Sequence, residues 1–546
     1  MKIRNLYFIA SIAGLMCAFV ARAQDMHHHG NEGSEQIGEV SFTVSCSPAS
    51  QKQFNRATAL LHSFWYSEAE KAYSAITMDE PTCVMAQWGV AISLYHPVWA
   101  PATTTELQKG WAAVEKAKSL PAKTDRERDY IAAIETFFSD SGKLDHRTRT
   151  LAYEKSMERV YLSYPKDQEV AIFYALALLG TALNTDKTYA NQKKAANILN
   201  KILPEAPNHP GVVHYLIHSF DYPQLAELAL PAARRYAKVA PSSPHALHMP
   251  SHIFTRLGLW QESIQSNLAS AEAAKNFVAK TRPDAGSFDQ LHALDYLVYA
   301  YLQGAEDRKA KEILDQANAL NKVDSEVIAA AYAFAAIPPR YALERRQWSE
   351  AAKLKVHPIT FPWHQFCYAE AITYFARAVG AARSGNPAAA RKDIEKLASI
   401  QKALAEANNI YWATQVEIER RSAAAWLAHA EKKNEEGLKL MISAADLEDS
   451  TEKHPVTPGP IIPARELLGD MLIELNQPEQ ALREFEASLR NSPNRFNALF
   501  GAARAAELSG DRQKARTYYA NIMTLCEHAD DIRPELRKVR AFLAKK

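Results

Sequence analysis

Histidine is the side chain with the most chemistry to offer here. The chain has 18, and seven of them fall between His209 and His292. Imidazole is the commonest protein ligand for zinc, copper and iron. His214 and His218 lie four residues apart, so on a helix they share a face. His245, His248 and His252 stand at i, i+3 and i+7, within an arc of about 60° at 100° per residue. His292, Asp295 and Tyr299 repeat that spacing. No nucleophile elbow, phosphate loop or dinucleotide fingerprint accompanies them. His214-Tyr-Leu-Ile-His218 has the spacing of a zinc-protease helix, but the glutamate that acts as general base is missing, so it is not read as a protease.

Helices must position these groups. From residue 46 onward apolar residues recur at three and four, and Pro or Gly interrupts them every fifteen or so residues. Ser243 can cap, and Pro244 begin, the helix that carries three of the histidines. Pro250 lies inside it and predicts a kink, because it removes a backbone hydrogen bond. The chain also repeats itself. Gly469, Leu472, Ala481 and Phe485 are followed 34 residues later, or close to it, by Ala503, Ala506, Ala515 and Tyr519, with Pro493 closing the first unit. Leu60, His62 and Trp65 recur as Leu94, His96 and Trp99, and Ala57 as Ala91, while Ala69, Tyr73 and Pro81 complete that unit. Pro207, Pro210, His214 and His218 recur 34 on as Pro241, Pro244, His248 and His252.

In these residues the chain resembles the tetratricopeptide repeat family, most closely over 462–529. The resemblance implies an all-α fold, a right-handed superhelical solenoid of stacked helix-turn-helix units with a concave groove, in about ten to twelve helix pairs. It also implies that the first helix of each pair lines the groove. On that basis His62, His96, Trp65, Trp99, His245, His292, Asp295 and Tyr299 are the candidate groove residues. Two segments, His245-Ala-Leu-His-Met-Pro-Ser-His252 and Lys453-His-Pro-Val-Thr-Pro-Gly-Pro460, resemble a group of exported bacterial repeat proteins of unassigned function.

Neighbouring first helices pack about 8–10 Å apart, so His214, His218, His248 and His252 are expected to project toward one volume, with Asp295 or His292 at its edge. Such a cluster would take a divalent transition metal: zinc, copper or iron. The competing explanation is packing, since a repeat protein copies its packing residues with its period. His62 and His96, flanked by Trp65 and Trp99, form a second expected stack, of the kind that is more often core than ligand site.

The remaining organisation follows from composition. Residues 1–23 read as a secretory signal peptide: Lys2 and Arg4, an apolar run from Leu6 to Val20, then Ala21-Arg22-Ala23. The protein is therefore expected to be exported, to a periplasm or beyond. Residues 24–45, with His27, His28 and His29, read as a mobile tail. An N-terminal repeat array then covers 46–275, a loop 276–288, degenerate repeats 289–448, an extended Pro-rich surface linker 449–463 and regular repeats 464–546. Net charge is +2, and three basic residues sit in the leader, leaving −1 for the rest, a poor electrostatic match for nucleic acid. After the leader no apolar run is long enough to span a membrane. Four cysteines follow it, without metal-binding spacing. Cys46 and Cys83 flank the first helix pair, whose ends meet, so a Cys46–Cys83 disulfide is expected, with Cys367 and Cys526 free.

Two functional readings follow. The first is a non-enzymatic scaffold whose groove holds a peptide, a protein segment or a small ligand. The second is a metal-dependent enzyme or metal-binding protein built on His214, His218, His248 and His252.

Overall fold

The computed structural model describes residues 35–545. The leader, and His27 to His29, lie outside the described residues. Helix follows helix from Pro48 to Leu543. The repeat residues pack as small against large. A Cβ added at Gly469 or Gly501 would lie 2.7 or 2.3 Å from the Phe485 ring, and one at Gly89 would lie 2.2 Å from Tyr73. The small positions therefore admit the aromatic that joins successive helices, the packing of tetratricopeptide-like pairs. Tight turns within pairs end on a left-handed residue, as at Asn476 (φ 57°) and Gly510 (φ 85°), 34 residues apart. From Gln36 on, the chain is one compact unit. No helix among the described residues is long and apolar enough to cross a membrane.

Three expectations about segments are corrected. The part of the tail from Gln36 to Ser45 is packed, not mobile. Ile37, Phe42 and Val44 are buried, and the Phe42 ring meets Phe54, Trp88 and Tyr130 at 5.1–5.5 Å. Backbone bonds tie Glu39 to Asn208 and Ser242 to Gln36. The cause is a short apolar alternation, Val40, Phe42, Val44, that suits an extended arm lying on helices. The loop is also shorter than expected. Helix Trp260–Thr281 runs through its first six residues, because the apolar stripe of Ala271 and Ala274 continues to Val278 and Phe277 meets Trp65 at 4.9 Å.

The Pro-rich segment is the largest departure. It is non-helical between Asp449 and Ala464, as its prolines require, but it does not run over the surface. It crosses the face that carries His252, Tyr296 and Tyr299 as a buried strap. Tyr332 donates to the Gly459 carbonyl at 3.2 Å and Arg340 to the Pro460 carbonyl at 2.8 Å. Lys453 pairs with Asp221 at 2.7 Å. An extended backbone leaves its carbonyls free, and these buried donors satisfy them, while Val456, Ile461 and Ile462 supply apolar area.

The array also closes on itself. Trp260 donates to the Asn494 carbonyl at 2.8 Å, and Gln303 accepts from the Phe496 amide at 2.9 Å. Arg495, fully buried, bonds Glu466, Glu344 (2.7 Å) and the Tyr299 hydroxyl (2.6 Å). A Cys46–Cys83 disulfide joins the start of the first helix pair to the start of the next, with Cα atoms 5.2 Å apart. Cys367 and Cys526 are free.

Candidate metal centre

Helix Pro210–Phe220 carries His214 and His218, and the stretch Pro244–Arg256 carries His245, His248 and His252. Both begin with proline at the first turn, and both have an N-cap side chain, His209 or Ser243, accepting a backbone bond. Pro250 breaks the second stretch at Met249, since it cannot donate to the Ala246 carbonyl. The break is not what brings the rings together. His214 and His218 on the unbroken helix have Nε2 atoms 3.1 Å apart, and His248 and His252 across the break 3.0 Å.

The histidines do not form the single four-fold cluster expected. They form two triads, His214, His218 and His245, and His248, His252 and His292. Within each, one nitrogen per ring lies within 4.8 Å of the others. All six residues are buried.

Second partners set the tautomers. The His62 carbonyl accepts from His214 Nδ1 at 2.7 Å, leaving Nε2 as a lone pair. Asn267 Oδ1 accepts from His248 Nδ1 at 2.7 Å, and its orientation is set because Nδ2 donates to the Ser263 carbonyl at 2.8 Å. Asp221 Oδ2 accepts from His252 Nδ1 at 3.0 Å. His248 and His252 therefore both present Nε2 lone pairs, facing each other at 3.0 Å. The Tyr296 hydroxyl, 3.3 Å from His252 Nε2, can donate to only one of them. His245 Nε2 and His292 Nε2 are buried and make no hydrogen bond. In His214, His248 and His252 the lone pair is turned inward and the hydrogen outward, to carbonyl, carboxamide oxygen and carboxylate, the arrangement a metal requires of its imidazoles.

Burial dominates the electrostatics. It pushes His214 down to about 3, and holds His245, His248 and His292 well below their ordinary value, with neighbouring imidazoles adding to it. His252 is also lowered by burial, against the pull of Asp221. The carboxyl of Asp221 is kept well below the usual range: burial opposes ionisation, but Lys453, Arg256 and His252 outweigh it. The rings are thus held neutral, the form that ligates.

A third group, His62, Glu169 and His209, has comparable spacing and different chemistry. Glu169 accepts from both imidazoles, at 3.1 and 2.9 Å. His62 Nδ1 is met by Tyr215 at 2.9 Å and His209 Nδ1 by the Val212 amide at 3.4 Å. Each ring nitrogen already has a partner, so this group is a closed hydrogen-bond network of the core.

No protein-family model matches the chain, and no curated protein matches it. Among solved structures it is similar to a human IFIT1 dimer with m7Gppp-AAAA, at 13% identity over 81% of this chain and 90% of that one, TM-score 0.39. It is similar to yeast Tom70 at 11% identity over 90% and 95%, TM-score 0.33. The APC/C hetero-tetramer Cut9–Hcn1 gives 12% identity over 90% of each chain, TM-score 0.31. Similarity at this level assigns neither ligand nor partner.

The other expected site residues disperse. His62 ends helix Pro48–His62, whereas His96 lies in a turn past its helix (φ 49°), against Tyr66 at 4.6 Å, so the two do not stack. Trp65 packs on Phe277. Trp99 stands edge-on to His245 and His292, at 5.4 and 6.0 Å, and walls both triads. Asp295 ligates neither triad. It faces Arg340 at 3.6 Å, and burial, against that arginine, raises its carboxyl to about 6. Tyr299 is core, under Arg340 and Arg495. Sequence reasoning missed Phe64, which packs on His214, His218 and His245 at 4.3–5.6 Å, and also Asp221, Asn267 and Tyr296. Separately, a cavity of 410 Å³ lies beside the strap, lined by Tyr332, Tyr368, Trp412, Glu419 and Glu448. Trp412 is stacked there between Tyr368 (4.3 Å) and His454 (5.3 Å).

Proposed function

We propose that this is an exported metal-binding protein that holds transition-metal ions in the two histidine triads, on a helical-repeat frame. The observation that carries the reading is the pair of facing lone pairs at His248 and His252, 3.0 Å apart with both Nδ1 hydrogens committed elsewhere. Two lone pairs at that separation repel, and a cation between them, shared with the unpartnered His292 Nε2, relieves the repulsion. Three neutral imidazoles without thiolate or carboxylate suit zinc or copper rather than magnesium or calcium. The Cys46–Cys83 bond supports an oxidising compartment, and so the exported half of the reading.

The groove-scaffold reading loses ground, because the strap occupies the face on which a peptide would lie. What favours it is the aromatic cavity beside the strap, lined by Tyr332, Tyr368 and Trp412, whose mixed apolar and polar wall suits a small ligand.

Metal analysis of the mature chain, made without an affinity tag, tests the proposal. We expect about one ion per triad, lost in the His218→Ala, His252→Ala double variant while helical content stays unchanged. A chain that takes up neither zinc nor copper would remove the reading.

A further inference from the structure

Given the metal reading, on which this rests, we infer that the two triads form one dinuclear copper centre bridged by a small exogenous anion. Rings within a triad lie 4.3–5.1 Å apart by centroid where adjacent, as in His248–His292 and His214–His245. The gap between triads is little more: His218 to His252 and His245 to His248 are both 6.2 Å. The short helix Pro244–His248 serves both sides, His245 in one triad and His248 in the other. Rings this close across the gap are what two ions sharing a bridge, about 3.5–4 Å apart, would require.

Charge points to the bridge. All six ring side chains are neutral imidazoles in a buried site, and the carboxylates nearby face cations of their own. Asp221 is taken by Lys453 at 2.7 Å and Arg256 at 2.9 Å, and Asp295 faces Arg340. Two cations there leave a large uncompensated charge, which a low-dielectric interior does not tolerate. An anion must accompany them, and none of the six imidazoles is one. A cavity of 160 Å³, lined by His218, Asp221, Tyr222, Lys453 and His454, reaches the site and has room for a small anion such as hydroxide or azide, and Lys453 brings a positive charge to its wall. The Tyr296 hydroxyl, at 3.3 Å from His252 Nε2, stands where it can donate to such a bridge. Copper is the ion we infer, because imidazole suits it and it is the first-row divalent metal that nitrogen ligands bind most tightly.

The test is paramagnetic resonance on the full mature chain loaded with copper(II). We expect two coppers per chain and far less signal than two independent spins, because a shared bridge couples them. Azide, as the probe anion, is expected to bind, and Tyr296→Phe to keep both coppers while weakening azide roughly tenfold. His245→Ala is expected to lose one copper and to restore the full single-spin signal of the other. Two coppers with full, independent signals would overturn the dinuclear centre and leave the metal reading standing. One copper per chain would also overturn it. No copper and no zinc at all would overturn both.

Discussion

Asn267 is not a ligand, yet it decides what His248 can do. By accepting from Nδ1 it turns the other nitrogen inward. Buried groups elsewhere are likewise governed by what they lack. Glu419 has a buried Oε2 with no hydrogen bond, and burial, then the facing Glu448, push its carboxyl up to about 8. A carboxyl raised above its ordinary value of about 4.3 contributes stability that is fully present below that value and lost as pH rises through 8. Glu419→Gln removes the ionisation, so its melting temperature, relative to the natural protein, is expected to be higher at pH 9 than at pH 5. An equal difference at both would contradict the shift. At this scale the sequence discloses the histidines but not their division. A 34-residue offset places His214 and His218 beside His248 and His252. The third members of the triads, His245 and His292, look like groove residues, because periodicity gives a face and not a partner. Asp221 and Asn267 follow no period. They reach the rings through packing between helices, which spacing along one helix does not encode.

Among elements, the first helix pair is closed by the Cys46–Cys83 bond across 37 residues. In the chain-entropy model a loop of that length contributes about 4 kcal/mol. Replacing both cysteines with serine is expected to lower unfolding free energy by a similar amount, read from denaturant unfolding with midpoint and slope both fitted. A change well under 1 kcal/mol would contradict this and mean that the unfolded chain keeps the ends of the pair together without the bond. The helices themselves were legible, because the alternation of small and aromatic residues is a local property that 34-residue spacing repeats. The arm and the strap were not. Val40, Phe42 and Val44 alternate over too few residues to signal anything without the helices they lie on. The prolines of 455–463 report that the segment is extended, but the groups that bury it, Tyr332 and Arg340, come from about 120 residues earlier in the chain.

The molecule as a whole departs from the open arrays its repeats suggest. In such an array each unit touches only its neighbours. Here Arg495 reaches back to Tyr299 and Glu344, and the strap links the C-terminal half to Asp221. The strap also imposes an order in time. His214 to His292 leave the ribosome well before Lys453 and Val456, so the floor of the centre exists before its cover. An ion arriving early finds open imidazoles; one arriving late must pass the small cavity at Lys453. Chain refolded in the presence of copper is therefore expected to load faster than chain refolded first and offered copper afterwards, with the two reaching the same final content. Identical loading rates would mean that the cover breathes faster than the metal binds. If the rates differ as expected, the moment at which the last third of the chain docks, and not the affinity of the histidines, sets when the ions are taken up.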